Sequence, residues 1–117
     1  MAKNDYHEIV YYILKYLYAC KKEGIKPRED ILDLKEYPAS ICDEFKDFVY
    51  ITTFEKGLIS GIETMKIRVL GRGKIDIIKD MKSISITPEG IEYLSENSMM
   101  KKALENLKMF KDLIPFI

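Results

Sequence analysis

The sequence predicts an α+β fold of three N-terminal helices, a small antiparallel sheet with a hairpin and a last helical segment, and three features carry that expectation. Ile84 and Ile86 alternate with Ser83, Ser85 and Thr87, the two-residue period of a half-buried strand. That strand runs straight into a helix: Thr87 offers a hydroxyl cap, Pro88 suits a first helical position that needs no N–H, and Ile91 and Leu94 share a face. Upstream, Met65, Ile67 and Val69 alternate with Lys66, Arg68 and Leu70 as far as the tight turn Gly71-Arg72-Gly73, which is hairpin patterning.

The first helix is read from Asp5 to about Lys22, with Tyr6, Ile9, Val10, Ile13, Tyr16, Leu17 and Cys20 at helical spacing, Asp5 as cap and Gly24 as stop. Tyr11, Lys15, Tyr18 and Lys22 fall on its other side, so two tyrosines are expected at the surface. Pro27 introduces a second helix, Arg28 to Leu34. Ser40-Ile41-Cys42-Asp43 matches a Ser-x-x-Asp cap for a third, whose buried side would be Ile41, Phe45, Phe48, Val49 and Thr52 and whose stop is Lys56-Gly57. A first strand follows at Leu58 to Ile62, then the hairpin with its second run at Ile75, Ile77 and Ile78. A polar break at Lys79 to Lys82 precedes the strand at Ile84 to Thr87. These strands are expected to form one antiparallel sheet. Gly90, in the first turn of the next helix, would let another backbone approach closely.

From Ser98 to about Ile114 the pattern is helical again, with Met100, Ala103, Leu104, Leu107, Phe110 and Ile114 on one stripe and Pro115 as terminator. Met99, Met109, Leu113, Phe116 and Ile117 lie off it. One side can serve the core and another a second copy, so a homodimer through this helix is expected. The whole reads as a single domain over residues 1–117, with a core of 1–97 and a helical extension of 98–117.

Composition narrows the function. Apolar residues make up 47% and charged residues 32% of 117, the balance of a globular chain. Lys plus Arg and Asp plus Glu number 19 each, so no overall charge draws the molecule to nucleic acid or anionic lipid. The N-terminus resembles no signal peptide and no apolar run reaches membrane-spanning length, so a cytoplasmic protein without membrane contact is expected. Cys20 and Cys42 stand apart from each other and from His7, the one histidine, which argues against a metal site; both are expected to be reduced and buried in helices.

The order helix, helix, helix, strand, hairpin, strand, helix is that of a winged helix-turn-helix domain. More narrowly, the stretch Ile86-Thr87-Pro88-Glu89-Gly90-Ile91-Glu92-Tyr93-Leu94-Ser95-Glu96-Asn97-Ser98-Met99-Met100-Lys101-Lys102-Ala103 resembles the YjcQ family of small winged-helix proteins from Gram-positive bacteria and their phages. The resemblance extends over nearly the whole chain, down to Lys111-Asp112-Leu113-Ile114-Pro115. It implies the fold and supplies no catalytic or binding residues.

Candidate contacts therefore come from the residues themselves. If the third helix enters a DNA major groove, its outward side would hold Asp43, Glu44, Lys46, Asp47, Tyr50, Thr53 and Phe54, an acidic surface to turn toward phosphates. Of these, Lys46 and Tyr50 are the candidate contacts. The wing is basic: Lys66, Arg68, Arg72, Lys74, Lys79 and Lys82 face only Glu63, Asp76 and Asp80. Lys66, Arg68, Arg72 and Lys74 are candidates for phosphate contact, although charges on an edge strand also guard it against pairing with other chains. No nucleophile-base pair is visible, Asp43 and Asp47 make at most a weak cation site, and the Gly71 turn opens no helix as a phosphate loop would. The expectation is a non-enzymatic, cofactor-free, DNA-binding or transcription-associated protein, the alternative being a protein-interaction module on the same scaffold.

Overall fold

The computed structural model describes residues 5–35, 37 and 40–97. Its four helices are α1 (Asp5–Glu23), α2 (Glu29–Leu32), α3 (Asp43–Glu55) and α4 (Pro88–Glu96). Four strands, β1 (Ile59–Ser60), β2 (Glu63–Val69), β3 (Gly73–Asp80) and β4 (Ser85–Ile86), form two antiparallel two-stranded sheets, β1 with β4 and β2 with β3. The single sheet expected from the sequence is thus divided. The expected helix from Ser98 to Ile114, and with it the dimer contact, lies outside the described residues.

α1 is the centre of the core. Ile9 to Leu14, Tyr16, Leu17, Ala19 and Cys20 are all buried, because α3 packs on one side of the helix and α4 and β4 pack on others. Tyr11 is therefore buried and Tyr18 and Lys15 half-buried, not exposed as the spacing predicts. A helix covered all round is apolar all round, and the unbroken run Ile9-Val10-Tyr11-Tyr12-Ile13-Leu14 carries that signal. The expected stop at Gly24 holds, since Ile25 N–H reaches the Cys20 carbonyl at 3.0 Å and Gly24 N–H the Lys21 carbonyl at 3.3 Å. α3 ends in the same pattern at Gly57.

α2 is shorter than expected. Leu34 takes the left-handed conformation, φ 59°, which turns the chain while keeping its side chain in the core. The Leu32 carbonyl then accepts the Tyr50 hydroxyl at 2.6 Å. α3 begins at Asp43, with Cys42 as cap residue and no side-chain cap bond, so the Ser40 capping pattern is not used. Cys42 is consequently exposed outside the helix, whereas Cys20 is buried as expected.

The junction between α3, β1, β4 and α4 matches its sequence signal closely. Ile59 pairs with Ile86 and both are buried. Thr87 Oγ1 accepts the Gly90 N–H at 3.1 Å, the anticipated cap, and donates to the Gly57 carbonyl at 2.5 Å, so one hydroxyl joins the end of α3 to the start of α4. Thr87 N–H adds a bond to the Leu58 carbonyl at 3.1 Å. Gly90 is obligatory here, because a Cβ on it would stand 2.3 Å from the Leu58 carbonyl oxygen and 2.7 Å from Ile86 Cγ1.

The longer β2–β3 hairpin leaves the body after Gly61, whose φ is +80° and whose notional Cβ would lie 1.9 Å from the Ser83 carbonyl oxygen. This close passage of outgoing and returning chain separates the two sheets. β3 continues through Asp80, so the polar break falls at Met81 to Ser83, where Ile84 N–H closes a turn on the Met81 carbonyl at 3.1 Å. β3 packs against α3, and Asp47 receives the Ile78 N–H at 3.5 Å.

Candidate nucleic-acid interface

The hairpin register decides which cations act together. Lys66 pairs with Asp76, Ile67 with Ile75, Arg68 with Lys74 and Val69 with Gly73. Side chains alternate across a strand, so Lys66, Arg68, Lys74 and Asp76 belong to one face and Ile67 and Ile75 to the other. Lys66 Nζ meets Asp76 Oδ1 at 2.9 Å, which neutralises that cation locally. Arg68 and Lys74 stand opposite each other, both exposed, and neither has an ion-pair or hydrogen-bond partner among the described residues.

Arg72 lies in the turn, where its N–H closes on the Val69 carbonyl at 2.9 Å. Its guanidinium grips Glu44 of α3 in a two-pronged pair, Nη1 to Oε1 at 2.6 Å and Nη2 to Oε2 at 2.5 Å. These hydrogen bonds, and then the opposite charge, hold the Glu44 carboxyl below its ordinary range and raise the Arg72 guanidinium. Both side chains remain at least half exposed, so salt weakens the pair.

The two candidates on α3 are elsewhere. Tyr50 is fully buried, and burial raises its hydroxyl well above the usual tyrosine value while the Leu32 carbonyl accepts its proton. It is a core residue. Lys46 is turned inward between Asp43 at 3.3 Å and Asp33 at 3.9 Å. At 100° per residue, Lys46 is about 200° round the helix from Glu44. The exposed side of α3 carries Asp43, Glu44, Phe48, Phe54 and Glu55 instead. Phe48, expected in the core, is 51% exposed, while Thr53, expected outside, is fully buried and donates to the Val49 carbonyl at 2.6 Å. The missed signal is that Tyr50 and Thr53 can each satisfy their hydroxyl on a nearby carbonyl, so burial costs them little.

The hairpin cations therefore do not line the outer face of α3. Ile75 closes a groove against Phe48, Ile51 and Thr52, and alternation sends Lys74 and Arg68 to the opposite face of the hairpin. Arg72 alone reaches the α3 side, and it is already paired. Among the described residues no three His, Cys, Asp or Glu side chains converge as a metal site would require, and no helix is long and apolar enough to cross a membrane.

These features describe a mixed α+β domain with a protruding basic hairpin and an acidic third helix. The chain belongs to the YjcQ family: the family model described as YjcQ protein matches residues 11–113. Searches of curated proteins and of solved structures return no match.

Proposed function

We propose that the chain is a non-enzymatic winged helix-turn-helix module that meets nucleic acid through the outer face of its β2–β3 wing, with α3 held away from the groove. The unpartnered cross-strand pair of Arg68 and Lys74 carries this reading. Two exposed cations on one face of the hairpin can meet phosphates of a nucleic-acid backbone and need no base contact. The acidic outer side of α3 would repel phosphates, which is why the wing is assigned the contact and Lys46 and Tyr50 are not. Such binding is weak, tolerant of sequence and strongly dependent on salt.

The test is a fluorescence-anisotropy titration of mixed-sequence duplex DNA over a salt series. The two phosphate contacts of Arg68 and Lys74 predict a slope of log affinity against log salt of about −1.8, and Arg68→Ala with Lys74→Ala should bring it close to zero. Lys46→Ala should change nothing. Absence of binding at low salt removes this reading and favours a protein-interaction module, which the half-exposed Phe48 beside an acid-rimmed groove supports independently.

A further inference from the structure

The groove between α3 and the hairpin has no role in the wing contact. It encloses about 280 Å³, with Ile51, Ile75 and Thr52 lining it and Phe48 beside them. Phe48 stacks on Phe45 at 6.0 Å and meets Tyr6 at 5.9 Å, so its ring is held in place while half of it faces outward. Carboxylates surround this apolar strip. Glu44, Glu55 and Asp76 line it against one cation, Arg72, and Glu55 has no partner among the described residues. An apolar strip with an acidic rim suits an amphipathic segment bearing lysines.

The chain itself contains such a segment. Residues 98–117 place Met100, Ala103, Leu104, Leu107 and Phe110 at three-and-four spacing, and their four lysines, Lys101, Lys102, Lys108 and Lys111, outnumber Glu105 and Asp112. The attachment point is also favourable. α4 packs on α1, and Tyr93, in the last turn of α4, is half-buried against the same core as Tyr6, the residue that bonds Thr52 and touches Phe48. From Asn97, four extended residues span about 13 Å, roughly the width of one helix.

We infer that residues 98–117 fold back in the same chain and cover the groove between α3 and the hairpin, with their apolar stripe on Phe48, Ile51 and Ile75 and their lysines against the carboxylates of α3. The carboxylates of α3 beside the groove then serve an internal docking contact.

Hydrogen exchange read by mass spectrometry on the full-length chain tests this, beside sedimentation at the same concentrations. Amides of residues 103–114 should exchange at least about tenfold more slowly than an unstructured chain in a monomer. Phe48→Ser and, separately, the exposed charge reversal Glu55→Lys should each remove most of that protection while amides of α1 stay protected. Ile25→Ser, at an exposed site on another part of the surface, should leave it intact. Full-rate exchange in the unaltered chain overturns the proposal. So does protection that survives both Phe48→Ser and Glu55→Lys, or protection that rises and falls with a dimer fraction, which would assign the segment to a second copy.

Discussion

The β1–β4 junction and the β2–β3 hairpin are both antiparallel pairs, yet they are stabilised in opposite ways. The junction has only two residues per strand, but Ile59 and Ile86 are buried in the core, and Thr87 and Gly90 tie three elements together by backbone contact. The hairpin has strands of seven and eight residues, none of them fully buried, and reaches back to α3 through the Arg72–Glu44 pair and the longer Asp47 bond. Strand length is therefore a poor guide to what holds a sheet in place. Burial and close backbone contact hold the short pair; the long one rests on half-buried Ile75 and Ile78 and is tied at its turn by exposed charge, which leaves its outer face available.

Gly90→Ala should break this contrast most severely, because the new methyl has no space against Leu58 and Ile86; a loss of about 3 kcal/mol is expected in urea unfolding, acting on the whole fold. Thr87→Ala removes the cap and the bond to Gly57, and about 1–2 kcal/mol should be lost in the same measurement. Alkali should also attack the core before the hairpin. Burial raises the Tyr16 hydroxyl from 10.0 to about 12, so the stability it contributes is complete below pH 10 and is lost as pH climbs toward 12. Tyr50, raised by burial too, acts in the same direction, and circular dichroism against pH should show a loss of helix over that range. Arg72→Ala is the smallest change. It should leave the melting temperature unaltered and speed hydrogen exchange at the hairpin turn several-fold. Because Glu44 is held below its ordinary value, the contribution of its pair is present at neutral pH and disappears as pH falls through that lowered value; the turn should loosen in acid, or in high salt, while the junction does not.

The candidate site was legible only in part. Lys66, Arg68, Arg72 and Lys74 are on the hairpin the alternation predicted, and Gly71 to Gly73 do mark its turn. Their partners were not legible: that Asp76 neutralises Lys66 follows from a register, and that Glu44 captures Arg72 follows from the packing of β3 on α3, across 28 positions of sequence. Helical spacing alone left the orientation of α3 unsettled, since Phe45, Phe48, Val49 and Thr52 form as reasonable a buried side as the one observed.

What the sequence by itself determined is a few local boundaries. The stops at Gly24 and Gly57, the Thr87-Pro88 start of α4 and the space left at Gly90 all depend on atoms a few residues apart, or on the small size of one residue, and short-range chemistry is written locally. The tertiary structure alone decided that Tyr50 and Thr53 turn inward while Phe48 turns out, that the middle of α1 is buried on several sides, and that four strands divide into two sheets at Gly61 and Ser83. Each of those outcomes depends on which distant carbonyl, ring or backbone arrives to satisfy or exclude a group, and no spacing within a single segment records that.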